Sequence, residues 1–232
     1  EFSIGPFTAP VMTAEKANDG IVNEANTDFK SANMWLSMAR QGPQWWKVDL
    51  RAVYYLESIE QVWPQALKNI NLATMSYRVE VAGDFKQSFD DFSEHYQEVV
   101  DNSTNTKAGT TSDHLGLEGR FVKVTLLNTK STVKVPVMGN YPLYGAEEIS
   151  VVGGLLKSDE LEVDYKRKTI KLPTSIKHIG ALDKMLTAVS RGHLVYLDAQ
   201  EKTLTNQDTI TQLDSIIVYD EKKVISEQYQ LD

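Results

Sequence analysis

The chain has 232 residues, of which 41% are hydrophobic and 24% charged, and its formal net charge is −8 at pH 7. This length can bury one large core or two modest ones, and the composition is typical of a soluble globular protein. The acidic balance argues against nucleic acid as the main partner, and no apolar run reaches the roughly 20 residues of a membrane-spanning helix. Cysteine is absent, which excludes a disulfide framework.

The region 3–40 is mixed and turn-rich. Asp19-Gly20 is a turn signal, and the segment 21–29 that follows it is too polar for a core element. Further on, Trp35 and Arg40 precede a Gly-Pro turn. Taken alone, Asp19-Gly20 and the segment after it predict surface turns and loops.

The central stretch predicts two short strands, Trp45–Leu50 and Ser58–Trp63. A polar, turn-prone segment containing Arg51 and Glu57 separates them. In the first strand a period of two places alternate residues on opposite faces. Trp45, Lys47 and Asp49 alternate in this way with Trp46, Val48 and Leu50.

Three further strands are predicted by alternating apolar residues: Leu72–Ala82, Gly119–Leu127 and Glu147–Gly153. The connections between them are polar. His95 and Tyr96 end an exposed loop, the segment 102–112 is rich in Ser, Thr and Asn, and the segment 139–142 predicts a turn that presents an aromatic side chain.

The composition changes after Gly153-Gly154, where tryptophan disappears and Lys, Asp and Glu become dense. We therefore predict two domains, 1–153 and 154–232. The second contains a hairpin over 161–172, a helix over 179–189, strands over 193–197 and 216–219, and a last strand or tail through 224–225. This order is typical of a small α+β unit similar to a β-grasp, which we interpret as a spacer or protein-contact domain.

Motifs specific for catalysis are missing from the sequence. There is no G-x-S-x-G, no phosphate-binding glycine loop and no H-E-x-x-H. The four histidines (His95, His114, His178 and His193) share no ligand spacing, and Asp90-Asp91 is typical of a solvated turn. We predict that the chain itself is not an enzyme.

The three strand segments in the first domain resemble the discoidin domain, also called the coagulation-factor C-type domain. The motifs that carry the resemblance are QWWKVDL, GRFVKV and EEISVVG, at 44–50, 119–124 and 147–153. The resemblance covers 1–153 and implies a mostly β fold, a jelly-roll-like, galactose-binding-like β-sandwich. Bacterial members include the family 32 carbohydrate-binding modules, and the lack of cysteine favours that branch.

The resemblance also implies a structural calcium ion that ties the first long loop to the final strand. Calcium prefers oxygen ligands from carboxylates, carbonyls and hydroxyls. The residues that match the family's ligand positions are Lys16, Asp19, Ile21, Thr27, Glu147 and Glu148. The stretch from Asp19 to Thr27 is longer than the usual loop. The alternative is a plain surface turn at Asp19 and a solvated glutamate pair.

The ligand implied by the resemblance is a polysaccharide or glycan, bound by an aromatic ring and by side chains that donate hydrogen bonds to hydroxyls. The candidate contacts are Trp35, Arg40, His95, Tyr96, Asn140 and Tyr141. For Trp35 the alternative is packing beneath the sheet.

The expected function is that of a non-catalytic accessory module from a larger secreted bacterial glycan-active enzyme, located outside the cell or at its surface. The alternative is an adhesion or protein-interaction module of a cell-surface protein. The acidic balance opposes binding to membrane lipid.

Overall fold

The computed structural model describes residues 14–20, 22, 34–38, 43–63, 75–83, 95–129, 132–135 and 139–232. Within these ranges the chain is mostly β, as predicted. In chain order the strands are β1 (Trp35–Met38), β2 (Gln44–Val62), β3 (Met75–Ala82), β4 (Gln97–Asn102), β5 (Thr110–Thr129), β6 (Thr132–Val135), β7 (Gly139–Ala146), β8 (Glu148–Gly154), β9 (Leu156–Lys157), β10 (Val163–Asp164), β11 (Thr169–Ile170), β12 (Thr187–Ala188), β13 (His193–Leu197), β14 (Ser215–Tyr219) and β15 (Ser226–Leu231). The helix α1 spans Ile179–Asp183, and 3₁₀ turns span Ala14–Ala17, Val189–Arg191 and Ile210–Gln212.

The first part of the chain forms two β-sheets with a shared core. The larger sheet has the strand order β4-β3-β5-β2-β8, and the smaller one has the order β1-β7-β6. Trp35 and Tyr144 of the smaller sheet belong to the same buried cluster as Trp46 and Ile59 of the larger sheet and Trp63, which follows β2. This packing confirms the predicted β-sandwich.

The strand β2 runs through the segment that was predicted as a turn. Its pairing with β5 shifts register between Asp49 and Tyr54, and Arg51 adopts a positive φ of 74° at this point. The Asp49 carboxylate accepts a hydrogen bond from the Arg51 backbone N–H at 2.8 Å and two from the Arg120 guanidinium at 2.7 and 2.9 Å. The hydrogen bond from Arg120 is the main reason why the pKa of Asp49 is lowered. The prediction of two separate strands is therefore wrong: β2 is one strand with an irregularity that Asp49 stabilises.

Two other loop predictions differ from the structure, one of them only at its ends. The segment 139–142, predicted as a turn, lies in β7, which pairs with β6 on one side and with β1 on the other. The polar segment 102–112 is a loop over 103–109, as predicted, but its first residue ends β4 and its last three begin β5. In both cases a strand continues past its apolar residues because its polar end pairs with a neighbouring strand.

The C-terminal part forms a sheet with the order β10-β11-β15-β14-β13 and a short pair, β12-β9. The predicted hairpin is confirmed, since Val163 pairs with Ile170 across β10 and β11. The helix is shorter than predicted and ends at Asp183, and the last strand begins at Ser226 rather than including Val224. The β-grasp-like arrangement is not confirmed.

The two parts of the chain are in direct contact. Ala52 of β2 belongs to the buried cluster of the C-terminal part, and the rings of Tyr55 and Tyr165 lie 5.7 Å apart. An ion pair joins Lys157 to Glu118 at 2.6 Å. The boundary at 153 and 154 stays a prediction, but the described residues on either side of it pack together.

Of the helices that the described residues form, none has the length and apolar character that a bilayer crossing requires.

Candidate functional site

The outer face of the larger sheet carries an exposed tryptophan among charged and polar side chains. Directly opposed residues of antiparallel strands share a face. Trp45 lies opposite Thr125, and Lys47 lies opposite Lys123, which in turn lies opposite Glu80 of β3. We call these residues, together with Tyr96, the outer face. Trp45 is 47% exposed, whereas its neighbour Trp46 points into the core and is 4% exposed.

The polar groups of the outer face are held in place by one another. The Lys123 ammonium lies 2.8 Å from a Glu80 carboxylate oxygen, and the Thr125 hydroxyl donates to the same oxygen at 2.8 Å. The Lys47 ammonium lies 4.8 Å from the centre of the Trp45 ring. A cation at this distance is attracted by the ring face and limits the movement of both side chains.

Tyr96 lies beside this arrangement, just before β4. The Lys123 ammonium is 5.6 Å from the centre of its ring. Burial, and then the nearby charges of Glu80 and Asp49, raise the pKa of Tyr96 to about 12. The phenol therefore stays protonated at neutral pH and can donate a hydrogen bond. Aromatic rings beside fixed donors and acceptors suit a ligand with both an apolar face and hydroxyl groups.

The predicted sugar contacts fall into two separate places. Trp35 lies on β1 of the smaller sheet, beside β7, and the backbones of Asn140 and Tyr141 lie on β7 itself. His95 and Tyr96 precede β4, the outermost strand of the larger sheet, and His95 is exposed. Arg40 lies outside the described residues.

Trp35 requires a correction. Its side chain is 8% exposed and packs in the core of the sandwich, because the smaller sheet turns this side of β1 towards the larger one. The structure therefore supports the alternative of packing beneath the sheet rather than sugar stacking.

The described members of the predicted calcium-ligand set, Lys16, Asp19, Glu147 and Glu148, lie near a contact between the 3₁₀ turn Ala14–Ala17 and the start of β8. The Gly20 backbone N–H donates a hydrogen bond to Oε2 of Glu148 at 3.1 Å, and the Ser150 hydroxyl donates to Oε1 at 3.2 Å. The Lys16 ammonium lies 3.0 Å from the Asp19 carboxylate. This contact joins the first loop to β8, and the calcium ion that the resemblance implies there stays a prediction.

The electrostatics of this contact suit a cation. Glu148 is 7% exposed, and its burial raises the pKa of its carboxyl group. The negative charge of Asp19 raises this pKa further. A cation would relieve the cost of burying this carboxylate. Carboxylate oxygens are also the ligands that calcium prefers, so Asp19 and Glu148 fit the ion.

The rest of the predicted ligand set is only partly described. Glu147 is buried, and its backbone N–H donates to the Val62 carbonyl at 2.8 Å. Ile21 and Thr27 lie outside the described residues. Within the described ranges, no three His, Cys, Asp or Glu side chains form a metal-binding group. Carbonyl and hydroxyl oxygens would therefore have to complete any calcium site.

Trp45 is the residue that the candidate list from the sequence missed. The signal was present, because Trp45 alternates with Trp46 and shares its side of β2 with Lys47 and Asp49. A tryptophan in the polar set of an alternating strand is expected to face solvent.

Comparison with known proteins agrees with the sequence motifs. Residues 16–124 match an F5/F8 type C family model described as NedA-like, galactose-binding domain, which confirms the resemblance. None of the curated proteins compared matches the chain.

Several solved modules are similar to part of the chain. CpGH89CBM32-6, produced by Clostridium perfringens, is 19% identical over 60% of this chain and 84% of its own, with a TM-score of 0.39. The chitosan-binding module 1 of a chitosanase/glucanase from Paenibacillus sp. IK-5 is 19% identical over 62% of this chain and 86% of its own, with a TM-score of 0.42. A Streptococcus pneumoniae fucose-binding module, SpX-3, is 18% identical over 60% of this chain and 82% of its own, with a TM-score of 0.39.

Proposed function

Because residues 16–124 match the galactose-binding model of the F5/F8 type C family, we propose that the chain is a non-catalytic carbohydrate-binding module. The outer face is the proposed binding surface because of Trp45. This residue lies within the matched segment, and its side chain is 47% exposed on a polar sheet face. The ligand is a polysaccharide or glycan.

In this proposal the outer face binds one side of a sugar ring. The apolar C–H face of the sugar stacks on Trp45, and Lys47 and Tyr96 donate hydrogen bonds to its hydroxyl groups. Glu80 accepts a hydrogen bond from a hydroxyl while Lys123 holds it in place. A shallow site of this kind binds weakly, and several copies on one polysaccharide chain raise the effective affinity.

The test is a glycan array and a polysaccharide pull-down on the wild type and on Trp45→Ala. We expect Trp45→Ala to weaken binding about tenfold or more, because an aromatic anchor supplies most of the binding energy in a small contact area. Tyr141→Ala tests the other predicted location in the same assay.

The matched control is Val224→Ala, which removes another exposed apolar side chain, 78% exposed, far from the outer face in sequence. It is expected to bind like the wild type. If Tyr141→Ala loses binding and Trp45→Ala does not, the sugar site lies near β7. If the wild type binds no glycan, the proposed function is wrong.

A structural calcium ion is the second part of the proposal. Asp19 and Glu148 would supply carboxylate oxygens, the backbone at Lys16, Ile21 and Glu147 carbonyls, and Thr27 its hydroxyl and carbonyl. The buried, hydrogen-bonded carboxylate of Glu148 supports this role. The ion would fix the first loop to β8 and would take no part in chemistry.

Thermal unfolding with about 1 mM calcium and with chelator tests this part. Calcium is expected to raise the midpoint of the wild type by about 3–8 °C, since a ligand that binds only the folded state stabilises it. Glu148→Gln should abolish the shift. Glu147→Gln is the matched control, because only its backbone carbonyl is a proposed ligand, and it should keep the shift. An equal shift in Glu148→Gln and the wild type would rule out this site.

We infer that the module serves a larger secreted bacterial enzyme that acts on glycans outside the cell or at its surface. The module would keep the catalytic domain near its polymeric substrate, which is a gain through effective concentration. Attachment of the chain to a reporter enzyme should increase turnover of an insoluble glycan but not of a soluble fragment.

A further inference from the structure

A cleft of about 530 Å³ lies where the larger sheet meets the C-terminal sheet. This volume falls within the range of roughly 300–1,000 Å³ that is usual for small-molecule sites. Its lining takes Leu50, Tyr54, Leu56 and Glu60 from β2 and contains neither Trp45 nor another residue of the outer face. It is therefore separate from the outer face.

The inner wall of the cleft is mostly apolar. Leu50, Tyr54, Leu56 and Val151 line it, and Tyr54 packs against both hydrophobic clusters. An aromatic ring held between two cores has little freedom to move. A flat apolar group of a ligand can therefore pack on Tyr54 at low entropic cost.

Two ion pairs also line the cleft, and we call these four charged side chains its rim. The Lys166 ammonium lies 2.7 and 2.8 Å from the two carboxylate oxygens of Glu60. The Lys168 ammonium lies 2.7 Å from Glu227. These four charges cancel, so the rim favours neither a cation nor an anion, yet it offers N–H donors and carboxylate acceptors to a neutral ligand.

The second ion pair is fixed by further contacts. Lys168 also donates to the Gly153 carbonyl at 3.1 Å, and Glu227 accepts from the Leu155 backbone N–H at 2.7 Å. The Tyr229 hydroxyl donates to Glu227 at 2.8 Å. Polar groups held in this way are already arranged when a ligand arrives, which reduces the cost of binding.

We propose that this cleft is a second carbohydrate site that binds a neutral sugar unit. The sugar packs its apolar face on Tyr54 and exchanges hydroxyl hydrogen bonds with Glu60, Lys166 and Lys168. Because the rim is neutral overall, charged sugars are disfavoured. The inference rests on the proposed function, since the two sites would bind parts of the same polysaccharide.

The test is a titration of the ¹⁵N-labelled full chain with lactose, cellobiose and N,N′-diacetylchitobiose, followed by NMR. At least one of these sugars is expected to shift the amide signals of Gly153 and Lys168. Lys166→Ala should weaken that response about tenfold, because it removes charge-assisted hydrogen bonds, and should leave the response of the Trp45 indole unchanged. A neutral ligand should also bind equally well at about 50 and 500 mM salt.

The matched control is Lys171→Ala, which breaks the exposed ion pair with Glu162 outside the cleft and should bind like the wild type. The absence of shifts at Gly153 and Lys168 with all three sugars would overturn the cleft site, as would equal behaviour of Lys166→Ala and Lys171→Ala. If the Trp45 indole still responds in that case, the proposed function stands without the second site. If the cleft responds while Trp45 is silent, the outer-face proposal fails and the cleft site stands.

Discussion

Replacement of Trp63 with alanine is expected to lower the free energy of unfolding by about 3–5 kcal/mol. The Trp63 side chain is fully buried, with 0% exposure, and its ring lies 5.1 Å from that of Tyr77. Its indole N–H donates to the Thr111 hydroxyl at 3.0 Å, and that hydroxyl donates in turn to Gln61 at 2.8 Å. The substitution leaves a cavity in the sandwich and removes one hydrogen bond from a buried chain. Equilibrium unfolding in urea measures the loss.

Trp45→Ala is the matched control for this experiment, because it makes the same change at a position of β2 that is 47% exposed. Its effect is expected to stay within about 1 kcal/mol. Losses of similar size in the two variants would contradict the assignment of Trp63 to the core and of Trp45 to the outer face.

Glu227→Ala is expected to cost about 2–4 kcal/mol. The Glu227 side chain is 15% exposed and accepts hydrogen bonds from Lys168, the Leu155 backbone N–H and the Tyr229 hydroxyl. Its removal leaves all three donors without this acceptor next to the contact between the two parts of the chain. Thermal and urea unfolding of the full chain both report the loss.

Two variants define what the Glu227 result means. Glu227→Gln keeps one carbonyl acceptor and should lose less stability than Glu227→Ala. Glu162→Ala removes a glutamate that is 74% exposed from a surface ion pair, and it should change stability by less than about 0.5 kcal/mol. If Glu227→Ala were as mild as Glu162→Ala, the hydrogen bonds of Glu227 would contribute nothing measurable to stability.

The positions of the strands were predictable where one face of a strand is buried. The alternation of Trp45 and Trp46 indicated the first part of β2, and the apolar residues of 119–127 indicated the second half of β5. The strand prediction failed at Arg51. The local residues there favour a turn, but the chain continues as one strand through an irregularity at which Arg51 has a positive φ of 74°. The Asp49–Arg120 contact that stabilises this point joins residues 71 apart in sequence, so local patterns do not reveal it.

The helix over 179–189 shows how one periodicity can have two structural causes. Ile179 and Leu182 are buried on α1, as helical spacing predicts. Leu186 and Val189 are buried for another reason, because the chain turns and pairs Thr187 with Lys157 of β9. The pairing of β12 with β9 takes the place of the second half of the predicted helix. A pattern of apolar spacing cannot distinguish residues buried on a helix from residues buried by such pairing.

The sequence predicted a carbohydrate-binding module, but it did not predict which residues form the candidate site. The resemblance indicated a carbohydrate module, but one of the aromatic contacts proposed from the sequence, Trp35, is buried by the smaller sheet. Whether a tryptophan on a short strand faces solvent depends on which sheet covers it. For Trp45 the alternating pattern was sufficient, because β2 has charged residues on the same side.

β15 follows the other strands of its sheet in sequence, yet it lies inside the sheet rather than at an edge. β15 pairs with β11 on one side and with β14 on the other. A ribosome delivers residues in order, so β11 and β14 share a sheet only after the segment Ser226–Leu231 has emerged. Until then Ala52 and Tyr55 of the nascent sandwich lack the cover that the C-terminal part provides. The growing chain therefore passes through a stage with exposed apolar surface, at which a holding chaperone would protect it from aggregation.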